Sequence, residues 1–170
     1  MDVTVQATDL VRELALAQRI VERKITIPVL AMVKLEAEPD GILRLAVTDG
    51  DVSLRTQVPS VTGTVGVALA PAKRLHDMVR TLPGDASVRL AQEGARLCVE
   101  APVVEFRSVL QAHAVEDFPA IAEMPPDAYA LPRAALEGLI RRTMFVAEAG
   151  SSSQTYEQSG LLLLGQGQAT

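Results

Sequence analysis

Tryptophan is missing from this chain of 170 residues, and only three Phe and two Tyr occur. A core must be assembled from Val, Leu, Ala and Ile. Apolar residues make up 48% of the chain, which is enough for one and fits a β-rich fold with short helices. A single cysteine, Cys98, excludes an internal disulfide framework. It has no partner at metal-ligand spacing, and strand alternation puts it opposite the inward Leu97 and Val99, beside Arg96 and Glu100. The two histidines form no triad: His76 is expected on a helix surface and His113 in a connecting segment. Glycine-rich phosphate loops ending in Lys-Ser/Thr are lacking, and Gly63 to Gly66 is too sparse to stand in for one. Asp49-Gly50-Asp51 lacks the remaining ligands and closing Glu of a calcium loop, and Ser151 to Ser153 reads as a loop. The longest aliphatic block near the end, Leu161 to Leu164, is far too short to cross a bilayer, and no charged-then-apolar leader opens the chain. The expectation is a cytoplasmic protein with no membrane, metal or cofactor and no catalytic constellation.

What is present is alternation. From Lys24 to Val58 the chain reads as three antiparallel strands. Val29, Ala31, Val33, Leu35 and Ala37 share one face; Glu38-Pro39-Asp40-Gly41 supplies a type I turn; Ile42 to Val47 returns. Asp49-Gly50 is a hairpin signal, and Val52, Leu54, Thr56 and Val58 make the third strand. Before them, Asp2 to Ala7 alternates as a strand, and Thr8 or Asp9 can cap a helix with apolar Leu10, Leu14, Ala17 and Val21. After them, Thr62-Gly63 is expected to break the chain, and Val65, Val67 and Leu69 form a strand. Pro71 opens a second helix, with Leu75, Met78, Val79 and Leu82 inward and Pro83-Gly84 at its end. Strands at Ala86 to Gln92, Ala95 to Ala101 and Val103 to Leu110 follow.

Strand–helix–three strands thus occurs twice, over residues 2–58 and 64–110. Gln111 to Pro126 carries Asp117-Phe118-Pro119 and Pro125-Pro126 and reads as a linker. The unit then starts a third time: a strand over Ala128 to Leu131, a helix opened by Pro132 with Leu136, Leu139, Ile140 and Thr143 on its inner face, and an apolar strand over Leu161 to Leu164. The expected organisation is a complete domain over 1–115, a linker over 116–126, and the start of a second domain over 127–170.

The net charge of −5 argues against a uniformly basic nucleic-acid binder, but the distribution is uneven. The predicted helices and their ends hold ten of the 16 basic residues and five of the 21 acids. The ten are Arg12, Arg19, Arg23, Lys24, Lys73, Arg74, Arg80, Arg133, Arg141 and Arg142. Glu favours helices as much as Lys and Arg do, so propensity does not produce this split. Arg12, Arg19 and Arg23 recur on one face of the first helix, as do Lys73, His76 and Arg80 on the second. A basic helical face on an acidic body would attract phosphates without reading bases. Charge alone leaves ordinary solvated helix faces equally open, and Lys24 could be a C-terminal charge complementing its helix dipole.

Several segments taken together resemble the bacterial DNA polymerase III beta subunit family, the replication sliding clamps. They are the basic residue, Thr26 and Pro28 before the first hairpin with its Thr48-Asp49 ending; Val67-Ala68-Leu69-Ala70-Pro71-Ala72-Lys73-Arg74-Leu75; Glu116-Asp117-Phe118-Pro119; and Ala130-Leu131-Pro132. The resemblance covers essentially the whole chain. It implies an α+β DNA-clamp fold of pseudo-duplicated β-α-β-β-β units, with helices on one face of antiparallel sheets. It implies a processivity function without catalysis: two three-domain chains joined head to tail form a ring around double-stranded DNA and tether the replicative polymerase. By similarity Lys24, Lys73 and Arg80 contact DNA; Arg19, Arg23 and Arg141, on the basic helices, are expected to bind it as well; and Tyr156, also expected at the DNA, matches an aromatic of a DNA-facing loop, Glu148 to Gln158, which is longer here. Arg74, Met78, Leu82 and Phe106 fall where one chain meets its partner. Gly50 stands where the family commonly has Leu, and Arg107 to Val115 is about two residues longer than usual. The rest of the second domain and the third, with the groove for polymerase III and clamp loader, are expected in the full-length protein. Two other readings are a free-standing short clamp-like protein that modulates a full-length clamp, and a small ligand-binding or enzymatic α+β domain.

Overall fold

The computed structural model describes residues 1–21, 27–121, 123, 130–144, 164–165 and 168–169. The chain forms two compact units, Met1–Ala122 and Glu123–Thr170, each described by itself.

The first unit repeats one motif. β1 (Asp2–Gln6), α1 (Ala7–Val21), β2 (Met32–Ala37), β3 (Ile42–Thr48) and β4 (Ser53–Thr64) are followed by β5 (Gly66–Pro71), α2 (Ala72–Val79), β6 (Ser87–Glu93), β7 (Arg96–Ala101) and β8 (Phe106–Gln111). The eight strands form one sheet in the order β5-β2-β3-β4-β1-β6-β7-β8, with every pairing antiparallel. Each motif lends its first strand to the other: β1 pairs with β6 and β5 with β2. β4 joins the halves, because its first part pairs with β3 and its last residues pair with β1. The matching contact between β8 and β5 shrinks to a single bridge, Leu69 to His113, because β8 has six residues where β4 has twelve.

Alternation sets one face of the sheet inward. Leu43, Leu45 and Val47 of β3, Val88 and Leu90 of β6, and Leu97 and Val99 of β7 are buried in one core with Leu10 and Leu14 of α1 and Leu75 and Val79 of α2. Burying each such side chain contributes about 1.5–3 kcal/mol. Both helices lie on this face and pack against each other. The start of α1 is fastened to the turn after α2. The Ala7 N–H donates to the Ala86 carbonyl at 2.9 Å and the Thr8 N–H to that of Gly84 at 3.1 Å. The Thr8 hydroxyl adds a 2.6 Å bond to the same Gly84 oxygen. Thr8 therefore ties the two motifs together, where the sequence suggested a cap for its own helix.

Other boundaries also shift. Pro28–Ala31 is a 3-10 turn, since proline at its start fixes φ and removes a donor, so the strand begins at Met32. β4 runs through Thr62 and Gly63 to Thr64, because β1 replaces β3 as its partner there. Pro102–Val104 is a second 3-10 turn ending at Glu105, which adopts φ +53°, and β8 starts only at Phe106. α2 stops at Val79, with Arg80 at its C-cap, short of Leu82. Asp49 and Gly50 do form a tight hairpin: Asp49 Oδ1 accepts the N–H groups of Asp51 and Val52 at 3.0 and 2.7 Å, and Gly50 supplies φ +102°.

In the second unit α3 (Arg133–Thr143) forms as expected behind Pro132, but none of its residues is fully buried. Leu136 and Leu139 are half-buried, whereas Ile140 is 50% exposed. Thr143, expected inward, is exposed and its hydroxyl donates back to the Leu139 carbonyl at 2.9 Å. Ala130 and Leu131 are not in a strand, and the rest of that expected strand lies outside the described residues. β9 (Leu164–Gly165) pairs with β10 (Gln168–Ala169). Leu161 to Leu163 and the loop at Ser151 to Ser153 fall outside the described residues.

Candidate nucleic-acid interface

The two helices of the first unit present their polar sides away from the sheet. On α1, Arg12 and Arg19 are exposed on the side opposite Leu10, Leu14 and Ala17. On α2, Lys73 and Arg74 are exposed in the first turn, and Arg80 is exposed at the C-cap. Arg19 and Arg80 sit at helix C-termini, where a cation complements the dipole. Lys73 and Arg74 do the opposite. They occupy the positive end of α2, whose first turn holds no acid, and each such placement costs roughly 0.3–1 kcal/mol when exposed. Arg133 repeats this in the first turn of α3.

Several of these cations already hold a carboxylate. Arg12 Nη1 lies 3.2 Å from Asp9 Oδ1 and its Nε 2.8 Å from Glu13 Oε1. Arg80 Nε lies 3.3 Å from Asp77 Oδ1. Arg19 and Arg74 make no ion pair among the described residues. Glu13 is the one buried acid among the described residues, 8% exposed. The Thr56 hydroxyl on β4 donates to its Oε2, and this bond, followed by that from Arg12, holds the carboxyl below the usual glutamate range. Glu13 therefore ties α1 to the middle of the sheet.

The opposite face of the sheet is internally neutralised where β1, β6, β7 and β8 run side by side. Arg89 donates to Asp2 at 2.9 and 2.6 Å and to Glu100 at 3.1 Å, and Arg107 approaches Glu100 at 3.2 Å. The Arg89 hydrogen bonds hold Asp2 below the usual aspartate range, and Asp2 in turn raises the guanidinium pKa. Near the first hairpin Arg44 bridges Glu38 and Asp40 at 2.7 and 2.6 Å.

The expected site residues fall into three groups. Lys73, Arg74, Met78 and Arg80 share α2 or its cap, and Arg19 lies on the neighbouring helix. Met78, Leu82 and Phe106 are half-buried with one side against the core; Phe106 opens β8, the last strand of the sheet. Arg141 is exposed on α3 and paired with Glu137 at 2.8 Å. Lys24, Arg23 and Tyr156 lie outside the described residues. One expectation fails. The His76 side chain is only 12% exposed and its Nδ1 is buried without a hydrogen-bond partner, because a helix packed alongside widens the buried arc of α2 beyond the sheet-facing stripe. Cys98 lies, as expected, on the other side of β7 from Leu97 and Val99; it is 5% exposed, because its cross-strand neighbours Ala91 and Val109 make an apolar row. The sequence reading placed Asp9, Glu13 and Asp77 on the helices but did not pair them with arginines, although Asp9 and Asp77 each stand three residues before one.

A duplicated β-α-β-β-β motif, swapped strands and a helical layer on one face of an antiparallel sheet define the α+β clamp fold. Residues 1–122 match the DNA polymerase III beta subunit N-terminal domain, and the chain belongs to that family. It is 33% identical over 168 residues to the beta sliding clamp of Pseudomonas putida, covering 96% of this chain and 44% of that protein. The crystal structure of the beta subunit from Pseudomonas aeruginosa superposes with a TM-score of 0.84 at 31% identity, over 95% of this chain and 43% of that one. The Caulobacter crescentus sliding clamp gives 0.83 at 31% identity, over 95% and 43%. The chain thus spans less than half the length of these relatives. No helix among the described residues is long and apolar enough to cross a membrane.

Proposed function

We propose that this chain is part of a ring-shaped replication clamp: a cytoplasmic processivity factor that encircles duplex DNA, tethers the polymerase and catalyses nothing. The observation that carries the reading is the basic face of α1 and α2, on which Arg19, Lys73 and Arg80 are exposed, opposite a sheet face whose charges pair with one another. Phosphates are the ligand such a face attracts, and phosphate contacts carry no sequence information. By similarity to the family, Lys24, Arg23, Arg141 and Tyr156 are further DNA contacts of the full-length protein. Arg74, Met78, Leu82 and Phe106 form the contact with a second clamp chain, joined head to tail. Residues 127–170 begin a second clamp domain, and polymerase III and the clamp loader are engaged by the full-length protein.

The test is duplex binding by the chain as a function of salt, read by fluorescence anisotropy on two unrelated sequences. Arg19→Glu and Lys73→Glu should each weaken binding equally on both duplexes. Each should also flatten the plot of log K against log salt by about one unit for every phosphate that is no longer neutralised. A preference for one sequence, or indifference to both substitutions, would overturn the reading.

A further inference from the structure

In each of the three helices α1, α2 and α3 an acid stands one turn ahead of an arginine and pairs with it. Asp9 meets Arg12 at 3.2 Å, Asp77 meets Arg80 at 3.3 Å, and Glu137 meets Arg141 at 2.8 Å. The same pairing therefore recurs in all three helices, although the surrounding residues differ: Asp9-Leu10-Val11-Arg12, Asp77-Met78-Val79-Arg80 and Glu137-Gly138-Leu139-Ile140-Arg141. The arginines are 60%, 60% and 77% exposed, so their heads are accessible to a ligand, and the acids are 31%, 43% and 47% exposed beside them.

We propose that these acids limit the grip of the helical face on DNA, with Asp77 acting on Arg80 as the clearest case. The inference rests on the reading of that face as the phosphate-contacting surface. A phosphate approaching Arg80 must displace or share a guanidinium already committed to Asp77, and it meets the negative charge of Asp77 as it does so. A ring that translocates needs many weak phosphate contacts, and a built-in counter-charge weakens each without removing the cation. Arg19, which pairs with no acid among the described residues, would bind phosphate at full strength and set the baseline affinity. Asp77 is a positioning residue in this scheme: it acts on DNA through Arg80. Ion pairs at this spacing also stabilise helices slightly, so the test must read something a purely structural pair would not move.

Asp77→Asn in the full chain, measured by duplex anisotropy from about 50 to about 200 mM salt, should raise affinity at low salt. It should also steepen the salt dependence by about one counterion, so that affinity falls roughly three- to fourfold more across that range than in the parent chain. Adding Arg80→Ala should abolish the gain. Unchanged affinity and slope in Asp77→Asn, while Arg19→Glu still weakens binding, would overturn the inference and leave the DNA-binding reading intact. A gain that persists with Arg80→Ala would also overturn it, because it would report net charge alone. Indifference to Arg19→Glu, Lys73→Glu and Asp77→Asn together would overturn both.

Discussion

Replacing Thr56 with Val tests the junction between α1 and the sheet. The substitution preserves side-chain volume and β-branching and removes only the hydroxyl that donates to Glu13 Oε2. Glu13 is 8% exposed, so water is poorly placed to substitute, and Arg12 continues to satisfy only Oε1. A hydrogen bond to a charged acceptor contributes about 1.5–3 kcal/mol, and one between neutral groups about 0.5–1.5. The folded state holds Glu13 below its ordinary value of 4.5. Its contribution is therefore fully present above pH 4.5 and disappears as the pH falls through the depressed folded value. Thr56→Val should thus cost about 1.5–3 kcal/mol at pH 7 and about 0.5–1.5 once the carboxyl is protonated. Urea unfolding of parent and variant, followed by far-UV circular dichroism at pH 7 and at successively lower pH, gives the difference directly. An equal loss at every pH would show that the hydroxyl does not serve an ionised carboxylate. A loss under about 0.5 kcal/mol at pH 7 would refute the argument about its burial.

Leu75→Ala should destabilise the first unit by about 2–5 kcal/mol in the same urea assay, since Leu75 is fully buried between α2 and the sheet. Gly84→Ala should cost about 1–3 kcal/mol, because a Cβ there would lie 2.7 Å from the Thr8 hydroxyl oxygen; adding Thr8→Ala should relieve part of that loss, which a double-mutant cycle would measure.

The repeated motif was legible because each strand buries one face. Val3 and Val5 alternate with Asp2, Thr4 and Gln6, and Val88 and Leu90 with Ser87 and Arg89, and a period of two survives in a single sequence. Helix starts were legible where proline marked them, at Pro71 and Pro132. What could not be read was long-range. The continuation of β4 past Gly63 depends on β1, nearly sixty residues earlier, and no local signal announces a change of partner. The burial of His76 depends on a second helix lying alongside, and that of Cys98 on an apolar row contributed by two other strands. For the basic face, spacing identified the cations on α1 and α2. Which of them are held by an acid is a matter of side-chain geometry, and only Asp9, Glu13 and Asp77 in place show it.

The exchange of first strands has a consequence for the nascent chain. When the ribosome has made β4, β1 has one neighbour and its other edge stays open until β6 has emerged, about thirty residues later. At roughly 5–20 residues per second, that interval is about 2–6 s. For that time Val3 and Val5 have no second strand beside them, although β5, which completes the far edge of the first motif, follows directly after β4. The duplicated halves are thus bound to mature together. A pause in synthesis between residues 64 and 93 would prolong the exposure of an apolar strand edge, whereas the same pause after residue 111 would find the sheet already complete.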